Sequence, residues 1–281
     1  MYVKDITMTK IKYRVTVIVF SLVAIAFGFW RVSLTKMFAE SIGLSQFTTY
    51  SDIKLVGDWR VDIFPYMVLL LIAVAFVIAS LAGKTGASTL EYKDIASVFC
   101  SSLCAFMMAT TALFNIYFYF NGAEYTIIEW AIVCLMILSC AFFGYASSKN
   151  VQPQSTRFMF LALLPITMFL VRVMEYFFQI NYRPNNATEL FHLFSLCAMM
   201  MFFLEEGKFS AGNGNGKAYV FYGLSAVLLT MVYSLPHAIL SAFWIINFSL
   251  ESIYSCLDLV FATFIIGRIF NYELLASPKS K

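Results

Sequence analysis

FMFLALLPITMFLVRVMEYFFQI, residues 158–180, decides the class of this protein. At 1.5 Å per residue, a helix of this length crosses the roughly 30 Å of hydrocarbon in a bilayer. The run is apolar on nearly every side, yet it carries Arg172 and Glu175. Pro165, Met168, Arg172, Glu175 and Gln179 recur every three or four positions, so they share one stripe of a helix. A charge at membrane depth is costly and faces a bundle interior or a wet cavity. The stretch therefore reads as one helix of a bundle, with lipid on one side and protein on the other.

Composition extends that reading to the whole chain. Of 281 residues, 61% are hydrophobic and 12% charged, against roughly 45–50% and about 25% in soluble domains. Eight stretches are long enough to span: 13–30, 63–82, 95–120, 126–146, 158–180, 189–205, 218–239 and 250–270. The expected fold is an all-α polytopic transmembrane bundle forming a single membrane domain over 1–281. The first run ends at Phe29, Trp30 and Arg31. That is too bulky for a signal cleavage site, so a retained span is expected.

Loop charges orient the spans. With the N-terminus inside, thirteen of the 19 Lys and Arg residues lie on the cytoplasmic side. Five (Arg31, Lys36, Lys54, Arg60 and Arg183) lie outside, and Arg172 lies within a span. Both termini are then cytoplasmic, and residues 31–62 form the longest extracytoplasmic loop. Pro236 and His237 lead into AILSAFWIINF, read as a helix end with an interfacial turn at Trp244.

Four correspondences suggest a parallel repeat of halves 1–150 and 151–281. Arg14 answers to Arg157, FWRV (29–32) to LVRV (170–173), and Gly83-Lys84 to Gly207-Lys208. Glu129 with Cys134-Leu135 answers to Glu251 with Cys256-Leu257. One insertion, the 31–62 loop, reconciles the offsets. Repeats of this kind occur in transporters.

Several function classes are excluded or unsupported. A net charge of +3 without a long basic stripe gives no nucleic-acid partner. All six cysteines sit in apolar runs, and the two histidines have no zinc-type spacing, so neither metal nor cofactor is expected. AGNGNGK (211–217) fails the phosphate-loop pattern, since Ala218 follows the lysine. It reads as a flexible inside loop. No HExxH or GxSxG motif supports an enzyme.

The remaining chemistry lies in the spans. Asp258, Glu175, Arg172, His192, Glu129 and Glu251 all fall in the outer half of this topology. Asp258 lies about 12 Å below the outer boundary, too deep for so short a side chain to reach water. These six are the candidate ligand- or ion-binding residues of an outward-facing acidic pocket. Span three adds a stripe of Ser97, Ser101, Cys104, Met108, Thr111, Asn115 and Tyr119, and span seven adds Thr230, Tyr233 and His237.

The expected function is a small-molecule or ion carrier, with the bilayer and a small cationic or zwitterionic ligand or a proton as partners. The alternative is a non-transporting membrane sensor or assembly component, and a membrane-embedded enzyme is third. The Phe-, Tyr-, Ile- and Lys-rich usage resembles that of multi-span proteins of Gram-positive bacteria. It implies a bacterial cytoplasmic membrane and no particular activity.

Overall fold

The computed structural model describes residues 2–41, 59–82, 87–90, 95–122, 124–148, 156–180, 187–243, 248–270, 272 and 276–278. The helices are α1 (Tyr2–Ser41), α2 (Trp59–Ala82), α3 (Ile95–Phe120), α4 (Ile127–Ala146), α5 (Thr156–Ile180), α6 (Ala187–Ser210), α7 (Gly216–Ala242) and α8 (Leu250–Phe270). All eight are long and apolar enough to cross a membrane. Their outward faces leave large apolar side chains uncovered, such as Leu22, Leu69, Phe76 and Leu81. Lipid is the medium in which such a surface is stable.

Helix α7 is the centre. Every residue from Gly223 to Ser234 is buried, and the helix packs against α1, α2, α6 and α8. Small residues make this possible. A Cβ on Gly28 of α1 would stand 2.5 Å from the Met231 carbonyl oxygen of α7, so only glycine lets the two backbones approach. Helices α3, α4, α5, α6, α7 and α8 form a closed ring of neighbours, with α3 returning to α8.

Phenylalanines fill the middle of that ring. Phe143 of α4, Phe169 of α5, Phe203 of α6, and Phe261 and Phe264 of α8 are all buried. Their ring centroids are 5.1–6.1 Å apart, within the range of favourable aromatic contacts. The polar stripe predicted on span three is buried from Ser97 to Asn115, facing α4 and α8. Tyr119 ends it as an exposed residue.

Several boundaries differ from the sequence reading. Helix α1 continues past Trp30 to Ser41, and α2 begins at Trp59, so the expected loop of 31–62 is largely helical at both ends. Arg31 does not end its helix, because it is buried with its guanidinium 5.2 Å from the centre of the Phe64 ring. Helix α7 runs through Pro236 to Ala242, and Trp244 lies outside the described residues. The 211–215 connection is an ordered turn. Gly212 adopts φ +76°, and the Asn215 side chain caps α7 by accepting from the N–H groups of Lys217 and Ala218.

A small element was not anticipated. Strands β1 (Ala87–Leu90) and β2 (Ala276–Pro278) pair antiparallel and join the α2–α3 connection to the chain beyond α8.

The neighbour pattern also bears on the two halves. Helices α5 and α6 pack extensively, whereas α1 and α2 barely touch and α2 lies on α7.

Candidate functional site: a buried charge network on α5 to α8

Helical period places the site. On α8, Glu251, Ser255 and Asp258 follow at four and three residues and share a face. On α7, Thr230, Tyr233, His237 and Ser241 do the same. The two faces meet. Ser241 and Ser252 hydroxyls are 2.8 Å apart, and His237 Nδ1 is 2.6 Å from Ser255 Oγ. Tyr233 donates its hydroxyl to Glu251 Oε1 at 2.6 Å. Helix α6 joins through Ser195, whose hydroxyl is 2.8 Å from that of Thr230.

Arg172 reaches into this network from α5. It donates from Nη1 to Asp258 Oδ1 at 2.6 Å and from Nη2 to Asp258 Oδ2 at 3.1 Å. Both side chains are buried, at 5% and 1% exposure. A two-armed guanidinium–carboxylate pair is the arrangement best able to offset desolvation of both charges. The guanidinium also stands 5.0 Å from the Tyr254 ring centre and 5.8 Å from that of Phe169. Tyr254 donates its hydroxyl to Asn115 Oδ1 of α3 at 3.2 Å, and Tyr125 does likewise. His192 of α6 brings Nε2 to 3.5 Å from Asp258 Oδ2.

The six candidate residues therefore divide. Asp258, Arg172 and His192 converge from three helices. Glu251 joins them through Tyr233, and its Oε2 lies 4.0 Å from His237 Nε2. Glu175 stands apart. It is half-buried, and among the described residues its carboxylate accepts no hydrogen bond. Arg172, one turn before Glu175, gives both of its arms to Asp258. Glu129 serves as a helix cap. Its carboxylate accepts from the Thr126 N–H at 2.5 Å, while the Thr126 hydroxyl accepts from the Glu129 N–H. The T-x-x-E spacing of residues 126–129 is itself a readable sign of this role.

Sequence reasoning passed over a second buried pair. Arg268 of α8 donates from Nη2 to Glu206 Oε1 of α6 at 2.6 Å and from Nε at 3.1 Å. Both are essentially fully buried. Arg268 is one of the thirteen cations that the loop-charge reading places on the cytoplasmic side. Its place is legible after the fact, because Leu257, Phe261, Phe264 and Arg268 keep a four–three–four spacing and are all buried. Neighbouring Glu205 accepts from Lys208 Nζ at 2.7 Å and from the Asn215 N–H at 3.3 Å, tying down the turn before α7.

Among the described residues, no three His, Cys, Asp or Glu side chains are grouped to hold a metal ion. What the arrangement provides is a set of linked ionisable and hydrogen-bonding groups. It joins carboxylates, histidines and tyrosine hydroxyls across four helices in a low-dielectric interior. Comparison with family models, with curated proteins and with solved structures finds no match for this chain, so the reading of the site rests on its geometry.

Proposed function

We propose that the chain is a carrier of a small molecule or ion in a cell membrane, with the α5–α8 network as its site. The observation that supports this most is Asp258, an aspartate 1% exposed within a membrane-length helix and approached by Arg172 and His192 from two others. Ionisable groups so placed mark ion pathways and proton relays. Arg172 balances Asp258, which leaves Glu175 and Glu251 as an acidic surplus. That surplus favours a small cationic or zwitterionic ligand, or a proton. The Lys and Arg distribution supports cytoplasmic termini and a network in the outer half of the membrane.

The experiment is flux into proteoliposomes across an imposed pH gradient, with broad pools of labelled substrate. Wild type is compared with Asp258→Asn, which keeps shape and removes charge. Flux in the wild type and background in the variant support the reading. Wild-type vesicles that pass nothing end it, and equal flux in the variant removes Asp258 from the mechanism.

One observation favours a second reading, a non-transporting sensor or assembly component. The phenylalanine layer between the two buried ion pairs is tightly packed. Such a protein would pass nothing and would bring down a stoichiometric partner in mild detergent.

A further inference from the structure

Within the network, His192 is a buried ring whose hydrogen bonding is incomplete. It is 6% exposed, and neither ring nitrogen has a hydrogen-bond partner among the described residues. The ring is nonetheless held firmly. It stacks on Tyr233 with centroids 4.1 Å apart and planes 5° from parallel, and it meets Tyr176 edge-on at 4.3 Å. These contacts hold Nε2 3.5 Å from Asp258 Oδ2, at the outer limit of a hydrogen bond.

A neutral imidazole has one N–H and one lone pair, whereas the charged ring donates from both nitrogens. A charged ring would therefore turn the contact with Asp258 into a charge-assisted hydrogen bond. The carboxylate is placed to respond. Arg172 holds Oδ1 by its 2.6 Å arm and Oδ2, the oxygen facing His192, by its 3.1 Å arm. The groups that face the ring set the balance. Arg172 opposes a second positive charge. Asp258 favours it, as does Glu251 beyond Tyr233. His237 on α7 is engaged by Ser255, and Glu189 lies one turn earlier on α6.

We propose that His192 is the proton-binding residue of this site, and that its protonation draws Asp258 Oδ2 away from Arg172. One proton from the aqueous phase adds to the ring lone pair, and Arg172 and Asp258 keep their own protonation states. A two-armed ion pair becomes a one-armed one, and a guanidinium N–H is released. The inference deepens the carrier reading, on which it rests for its consequence, by naming the proton as the coupled ion.

The test uses the full chain in lipid nanodiscs with ring-15N histidine. The chain has only two histidines, so His237→Gln assigns the signals. On acidification, the His192 signal is expected to pass from neutral to doubly protonated. Asp258→Asn removes the counter-charge and should weaken proton binding at least about tenfold, whereas Arg172→Gln should strengthen it by about as much. Opposite shifts cannot arise from a shared loss of fold. A ring that stays neutral on acidification, or two variants that shift together or not at all, would overturn the inference. Titration without flux would end the carrier reading and keep this one. Flux with a neutral His192 would do the reverse.

Discussion

Helix α8 carries two buried ion pairs of the same chemistry and opposite polarity. It supplies the acid, Asp258, to Arg172 of α5, and ten residues later the base, Arg268, to Glu206 of α6. That separation is about 15 Å along the axis. Between them lie Phe261 and Phe264, packed on Phe143 and Phe203. The settings differ. Arg268 lies in the last turn of α8, where the free carbonyl ends favour a cation. Asp258 is beyond the first turn of its helix and has no such help. It also has the incompletely bonded His192 beside it. The difference teaches that burial and pairing alone do not mark a site. The first pair is joined to a titratable network, while the second has the setting of a clasp.

The largest test of that contrast is removal of one partner. Arg172→Ala strands Asp258 and is expected to cost about 3–5 kcal/mol of stability. Arg268→Ala strands Glu206, which is as deeply buried and lies near the carbonyl end of α6, and should cost about as much. Thermal unfolding in nanodiscs measures both, and a negligible loss at either position would show that its pair does not hold the bundle.

Tyr233→Phe comes next. It deletes the hydroxyl that donates to Glu251, a bond to a charged group worth about 1.5–3 kcal/mol. It keeps the ring stacked on His192. The expected outcome is a modest loss in unfolding temperature with an altered pH profile of flux. An unchanged profile would detach Glu251 from the network.

Thr126→Ala should cost about 1 kcal/mol by breaking the α4 cap. Flux and the His192 titration should not change. A large effect on either would restore Glu129 to the site.

The smallest expected change in stability is the most discriminating. Replacing both members of the second pair by apolar residues, as in Glu206→Leu with Arg268→Met, should be close to neutral, with flux retained. The same treatment of Arg172 and Asp258 should also fold but carry nothing. Equal flux loss in both would make Glu206 and Arg268 part of the mechanism.

Much of the frame was legible in the residues. Eight apolar runs became eight helices, and the stripe from Ser97 to Asn115 became a buried face. Both follow from local rules, since hydrocarbon demands internally bonded helices and a 3.6-residue period names the face. The misread boundaries share one cause. Arg31 and Pro236 look like span ends in a linear reading, but Phe64 in one case and a fully packed α7 in the other let the helix continue.

The site was legible as a set of residues and illegible as a set of partners. Asp258, Arg172 and His192 stood out because each is costly in lipid. That Asp258 pairs with Arg172 rather than acting with Glu175 depends on how α5 lies against α8. Glu206–Arg268 escaped notice because acids and bases near span ends are ordinary, and only their shared burial sets them apart.

By itself, the sequence determined a membrane bundle, its span count and the faces on which polar groups sit. These depend on the solvation cost of each residue and on helical period, which are local properties. The tertiary structure alone decided which charges meet, which are caps and which stay at the rim. Those outcomes depend on the rotation and depth at which helices distant in the chain pack, and no local rule contains that.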